Sequence, residues 1–388
     1  MIDHLISYAR NRTSRTIGTV FASQGFLFGT WAAMIPFVKL KFGLDEAELG
    51  LLLLALQGGV LIMNPFSVPI LHRLGAPVTA LLSLALTAVF FTLPMLAPDV
   101  ILLGLVLFIA GAGFATVNVA INTCATKVEI RDQTRIMATS HGLWSAGAMA
   151  GSALASTGIG LGITPAIWSG AVAMLVLVVS IMLRTDLLPL ESREKNVRRE
   201  QAGQKFAWPS AALWTIILLS LCTNITEGTM ADWSAVFLRE VVQSEPYAVG
   251  WGFSAYALFM AGGRFFGDGL IANFGAPKML RICGAIAAAG MLLLAFLPVM
   301  PWALVWFAMV GAGVSLGAPV LYAAAAKIPG MADGAGLATM NTFAMIGFFG
   351  GPVLIGFVAK AWSLPIAFAM VGLAAIWWSC NAAKIRNQ

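Results

Sequence analysis

A stretch of this chain is written twice. Residues 75–151 recur at an offset of 200 residues without a gap: Gly75-Ala76-Pro77 answers to Gly275-Ala276-Pro277, Gly111-Ala112-Gly113 to Gly311-Ala312-Gly313, Lys127 to Lys327, Ala138-Thr139 to Ala338-Thr339, and Gly147 and Gly151 to Gly347 and Gly351. A solenoid unit runs roughly 20–50 residues, far shorter than this repeat. The length suits the paired parallel halves from which many transporters are assembled.

Composition leaves little room for a water-soluble chain. Hydrophobic residues make up 59% and charged residues 10%, with a mean hydropathy of +0.87, whereas soluble domains carry about 25% charged residues. Twelve apolar runs, from 16–38 to 365–380 and six in each half, mostly reach the length of roughly 20 residues that a spanning helix needs. None shows the sustained alternation of a membrane barrel. The predicted fold is an all-α membrane protein of twelve transmembrane helices in two pseudo-symmetric six-helix bundles, 1–184 and 208–388. Between them, 185–207 is the one charge-dense stretch and reads as a linker on the cytoplasmic side, partly helical at the lipid headgroups.

The basic residues set the orientation. Nineteen of the 23 Lys and Arg fall on the side of the termini, leaving Lys39, Lys41, Arg239 and Lys360 opposite. The positive-inside rule then puts both termini in the cytoplasm, in the inner membrane of a bacterium. Net charge +6 reports topology and attraction to anionic membrane lipids, and gives no reason to invoke nucleic acid. Basic residues ahead of the first run resemble a signal peptide, but the run is too long and lacks a small-residue cleavage site, so the first helix is expected to be retained. Cys124, Cys222, Cys283 and Cys380 fall within predicted helices without metal-ligand spacing and read as free, buried thiols. With no P-loop, nucleophile elbow or metal cluster, the chain is expected to be no enzyme, to hold no cofactor or metal, and not to use ATP directly.

Small residues at helical spacing, such as Gly147 and Gly151 or Gly262-Gly263, allow helix backbones to approach closely. Pro36, Pro65, Pro69, Pro319 and Pro352 lie inside apolar runs, where a missing backbone donor is expected to bend or weaken a helix.

The doubled six-helix plan, its charged linker and the Gly-Ala-Pro segments after the second and eighth runs resemble the major facilitator superfamily. Part of that family's signature between helices 2 and 3 is kept from Gly267 to Gly275 with Arg264 and Asp268, Ala272 and Asn273 standing where the acid and base usually are. In the first half His72 takes the acid position, while Arg73 and Gly75 match. The segments Trp31–Pro36 (W-A-A-M-I-P) and Glu227–Trp233 (E-G-T-M-A-D-W) are similar to a YbjJ-like branch, itself similar to fucose permeases. The resemblance implies a monomeric carrier of a small-molecule solute, worked by alternating access. It also implies a central cavity lined by helices 1, 4, 7 and 10, and gating contacts at Arg73, Arg264 and Asp268.

Ionisable groups inside a bilayer cost several kcal/mol unless they face a cavity or a partner, so they mark candidate chemistry. Glu227, one turn from Asn224, either carries protons or hydrogen-bonds a neighbouring helix. Asp232 reads as an outer-end contact, reaching toward Arg239, and is second in line for proton coupling. Arg264 and Asp268 have the i, i+4 spacing of a salt bridge close to the cytoplasmic end. Gln24, Asn118, Asn122, Asn224 and Tyr322 fall on the cavity-lining helices, where they either meet the hydroxyls or amides of an uncharged solute or join helices to one another. His141 is either a proton relay or a bridge, and its equivalent through the repeat, Asn341, is counted among the solute-binding candidates. Trp31, Trp144 and Trp233 are the aromatics placed nearest the solute, suited to stacking on a sugar-like ring. The expected activity is proton-coupled movement of a small polar or sugar-like solute, with proton-driven efflux of amphipathic compounds and a transport-dead sensor as the alternatives.

Overall fold

Hydrocarbon offers no partner to a backbone amide, so a spanning segment must satisfy its own N–H and C=O groups, and the helix does so within one segment. The computed structural model describes residues 8–132, 134, 136–190, 209–326, 328 and 335–387, and among them every regular element is helical. In the first half these are α1 (Arg12–Phe42), α2 (Glu46–Leu74), α3 (Ala76–Thr92), α4 (Val100–Asp132), α5 (Met137–Gly160) and α6 (Pro165–Leu187). In the second they are α7 (Ala211–Glu240), α8 (Trp251–Phe274), α9 (Ala276–Phe296), α10 (Trp302–Val314), α11 (Gly317–Ala325), α12 (Ala335–Ala361) and α13 (Leu364–Asn381).

Each apolar run becomes one helix except the tenth, which is broken into α10 and α11. Pro319 lies in the first turn of α11, where its missing N–H costs nothing to that helix but would leave the Ser315 carbonyl without its usual partner. The Ser315 hydroxyl turns back to donate to the Ala312 carbonyl at 2.7 Å. Pro36, Pro65, Pro69 and Pro352 sit within helices that run on through them. Side-chain caps close several starts: Asn11 accepts from the Ser14 amide, Thr164 from Ile167, Ser210 from Leu213 and Ser363 from Ile366.

Nine helical segments among the described residues are long and apolar enough to cross a membrane, α10 and α11 counting together. The helices that fall short are α5, α7 and α8. They are enriched in Gly, Ser, Thr and Asn and carry His141, Glu227, Asp232, Arg264 and Asp268. Large apolar side chains such as Ile62, Phe66, Leu105, Met174 and Ile181 are exposed, an arrangement costly in water and natural against lipid tails. Cys124 and Cys283 are buried as expected, but Cys222 is half-buried and Cys380 is exposed.

The chain divides into two compact units. The first comprises Met1–Leu44, Leu52–Arg198 and Glu245–Gly250, and the second Asp45–Leu51, Arg199–Ser244 and Trp251–Gln388. Most of the predicted linker, 191–207, lies outside the described residues. In the first unit α1 packs on α5 through facing glycines. A Cβ on Gly25, Gly29, Gly147 or Gly151 would land on the carbonyl oxygen of Trp144, Ala148, Ala22 or Phe26 respectively, so the two backbones touch. The repeat-equivalent glycines of α12 are less confined, Gly347 facing the Leu221 side chain and Gly351 having only the Ile225 Cα at 4.0 Å.

The duplicated Gly-Ala-Pro has a common backbone reason. Gly75 and Gly275 cap the starts of α3 and α9 with φ 85°, ψ 149° and φ 82°, ψ 145°, and each is followed by proline in the first turn. That backbone region is essentially closed to residues with a Cβ. The second unit also takes in Asp45, whose Oδ2 lies 2.7 Å from Lys360 Nζ. The Lys360 ammonium, and then the Glu48 amide that donates to it, hold the Asp45 carboxyl below its ordinary value.

Gly75→Ala and Gly275→Ala are each expected to lower unfolding free energy by about 1–3 kcal/mol, measured by denaturant titration in detergent. No clash need be relieved at Gly275, where a Cβ would meet nothing within 4 Å. Asp45→Asn should lower the melting temperature modestly at neutral pH. Because the folded carboxyl is depressed, that difference should be full above the ordinary value of 3.8 and disappear as pH falls through the lowered one; a difference that persisted at the lowest pH would assign it to something other than the ion pair.

Candidate functional site

Polar groups inside helices gather in two places, one in each unit. In the first unit Gln24 of α1 is fully buried; its Nε2 donates to the Phe114 carbonyl at 3.1 Å while its Oε1 is buried without a partner. Asn118 and Asn122 share a face of α4, as their spacing predicts. The Asn122 amide nitrogen donates to the Asn118 backbone carbonyl at 2.8 Å and to the Asn118 side-chain oxygen at 3.0 Å. With that nitrogen engaged as a donor, the Asn122 oxygen faces His141 Nε2 of α5 at 3.2 Å, and the imidazole donates. His141 therefore bridges α5 to α4, with Phe21 packed on its ring at 5.0 Å. Trp144 of α5 packs tilted against Phe28 of α1, the ring centroids 5.7 Å apart.

The second unit holds the charges. Glu227 lies roughly halfway along the 30-residue α7, and Arg264 just past the middle of the 24-residue α8. Arg264 Nη2 approaches Glu227 Oε1 at 3.8 Å, with 27% of the Arg264 side chain and 22% of the Glu227 side chain exposed. The separation exceeds a hydrogen bond, and Glu227 Oε1 is itself buried without a hydrogen-bond partner. Tyr256 of α8 and Tyr322 of α11 lie within electrostatic reach of both charges. One turn before Glu227, Asn224 Nδ2 lies 3.4 Å from Ser220 Oγ and 3.4 Å from the Ala344 carbonyl, tying α7 to α12.

Several expectations change. The spacing of Arg264 and Asp268 suggested a pair near a helix end. The Asp268 side chain lies outside the described residues, and Arg264, roughly 15 Å along α8 from Phe274, approaches Glu227 on the preceding helix. Glu227 has no basic residue within a turn of its own helix, yet α8 supplies one. Trp31 and Trp233 are 3% and 0% exposed, so neither ring offers a free face; Trp31 packs on Phe91 at 6.0 Å. Asp232 is 4% exposed, and its Oδ2 has no hydrogen-bond partner, Arg239 included. Asn341 is exposed on α12, and Arg73 is exposed in the last turn of α2.

Nothing in the spacing singles out Tyr256, which reads as one aromatic among many, or the Asp45–Lys360 pair, whose members lie far apart in the chain. Pairing Glu227 with Arg264 requires the relative rotation of two helices, and no spacing along one helix contains it. Among the described residues no group of three or more His, Cys, Asp and Glu gathers to hold a metal ion. The chemistry within reach is proton exchange at carboxylates, ion pairing at Arg264, and hydrogen bonding from amides, phenols and one imidazole.

Comparison with known proteins fits this geometry. The family model described as Major Facilitator Superfamily matches residues 16–245. An uncharacterised transporter of Sinorhizobium fredii is 30% identical over 362 residues, covering 92% of this chain and 94% of its own. Among solved structures, the nucleoside transporter NupG superposes with a TM-score of 0.70 at 12% identity, over 97% of this chain and 100% of its own. A variant of the E. coli fucose:proton symporter FucP gives 0.59 at 17% identity, over 94% and 97%. At such identities the two structures bear on the fold alone.

Proposed function

The chain belongs to the major facilitator superfamily and is a secondary transporter of that kind, and we propose that it couples movement of a small polar solute to protons taken up and released at Glu227. The observation that carries this reading is the Glu227–Arg264 pair, placed halfway through two helices and held at 3.8 Å. At that range the attraction between unit charges is about 4 kcal/mol in an effective dielectric of 20. Removing each ion from water costs several kcal/mol. Two opposing terms of similar size make a pair that a modest change of surroundings can open, as a carrier alternating between two sides requires.

The first unit supplies neutral hydrogen-bonding groups. Asn118, Asn122 and His141 form a continuous polar strip, and Gln24 keeps one unmet acceptor. Amides of this kind suit hydroxyl or amide groups of a solute. FucP is named as a fucose:proton symporter, and NupG as a nucleoside transporter; polyhydroxylated solutes and proton coupling are thus compatible with the fold. The distribution of Lys and Arg supports a bacterial inner membrane with both termini in the cytoplasm.

A solute identified by thermal-shift screening should accumulate in proteoliposomes under an imposed pH gradient. Glu227→Gln keeps nearly the same shape without a titratable group. It is expected to abolish that accumulation while exchange of labelled for unlabelled solute continues. Accumulation at the wild-type level in Glu227→Gln would transfer the proton role elsewhere, with Asp232 and then His141 next to be replaced.

A further inference from the structure

Charge bookkeeping at the pair narrows the class of solute, and the narrowing rests on Glu227 as the proton site. Ionised Glu227 and Arg264 sum to zero. If Glu227 takes a proton while a neutral solute binds, the site is left with one uncompensated positive charge in a low-dielectric surrounding. A cationic solute binding beside the intact pair leaves the same excess. A solute with one negative charge that binds together with the proton returns the sum to zero, because the guanidinium exchanges one carboxylate for another. Uncompensated buried charge is strongly unfavourable, so the electroneutral exchange is the favoured one.

The geometry of Arg264 points the same way. A guanidinium presents five donors in a planar fork matched to a carboxylate. Among the described residues its polar partner is Glu227, at 3.8 Å and thus beyond hydrogen-bond reach, and 27% of the side chain is open. Tyr322, 41% exposed, adds a hydroxyl within electrostatic range of the pair. We propose that the transported solute carries a single carboxylate, which the Arg264 guanidinium holds when the proton taken by Glu227 releases it.

Among the described residues, the surrounding groups leave this exchange to the pair. From α8, Arg264 approaches Glu227 and Tyr256 lies within electrostatic range of it while its hydroxyl donates to Met260, with the Asp268 side chain outside the described residues. From α11 comes Tyr322. Of the other elements packed on α7, α10 and α13 carry no Asp, Glu, Lys, Arg or His, and α12 carries only Lys360 at its far end, bound to Asp45. The final short helix Ala382–Asn387 adds an exposed Lys384, and Arg386, whose side chain lies outside the described residues. On α7 itself Asp232 lies more than one turn away, with Arg239 and Glu240 at the end of the helix.

Acetate is the probe, with chloride at equal ionic strength as reference and sulfate as a dianion, read by thermal stability of the full-length protein in detergent. Wild type should be stabilised by acetate at pH 5.5, with an apparent affinity at least tenfold weaker at pH 8. Glu227→Gln should bind acetate equally at both, Arg264→Gln at neither, and Arg264→Lys more weakly than wild type. Sulfate should stabilise less than acetate. If folded, monodisperse Glu227→Gln gains no more from acetate than from chloride, the carboxylate contact is overturned, while the accumulation and exchange experiment on Glu227 still stands by itself. Equal acetate binding by wild type at both pH values would overturn joint loading with a proton, and equal stabilisation by sulfate would overturn the monoanion. The wild-type pH comparison decides the matter even if a variant fails to fold.

Discussion

A lipid interior gives a polar group no water to fall back on, and the organisation of this protein follows from that. Backbone amides are satisfied by helices, with side-chain caps on Asn11, Thr164, Ser210 and Ser363 closing helix starts. Helices without a hydrophobic drive to associate are held by close approach instead, as where the glycines of α1 and α5 bring carbonyl oxygens against Cα atoms. The remaining polar side chains must then find one another. The amide and imidazole strip of the first unit and the ion pair of the second are two solutions to one requirement.

Much of the fold was legible because the constraint is severe. Apolar runs of spanning length, broken by turn residues, admit few readings, and the twice-written Gly-Ala-Pro marks a backbone that only glycine adopts readily, at φ 85° and φ 82°. Proline was less informative. Pro36, Pro65, Pro69 and Pro352 remain inside continuous helices, while Pro319 marks a break. A proline removes one donor wherever it stands; whether the helix continues depends on what receives the orphaned carbonyl, and neighbouring helices decide that.

The charged residues within the helices were legible singly, while the approach of Glu227 to Arg264 was not. Charged residues within apolar runs are rare enough to be picked out singly, as Glu227, Asp232 and Arg264 were. Spacing along one helix then suggested Asp268 for Arg264, because i, i+4 is the only proximity a lone sequence shows. The Glu227–Arg264 approach depends on how α7 and α8 are rotated and offset. The tryptophans show a related ambiguity: a large ring is as useful for filling a core as for stacking on a solute, and Trp31 and Trp233 are buried.

Comparison of the two halves at the repeat offset separates scaffold from chemistry. Residues that recur, the Gly-Ala-Pro turns and the paired glycines, set backbone conformation and helix approach. Those that carry the polar strip of the first unit do not recur: Asn118, Asn122 and His141 stand opposite Ala318, Tyr322 and Asn341. A duplicated scaffold tolerates such divergence because helix packing depends on small residues and backbone geometry, whereas the polar groups facing inward contribute little to holding helices together, on average about 0.6 kcal/mol each. Freed from the repeat, one half has acquired neutral donors and acceptors, and the other an acid and a base whose charges cancel. That cancellation lets two ions stand halfway through apolar helices at 3.8 Å, a separation longer than a hydrogen bond.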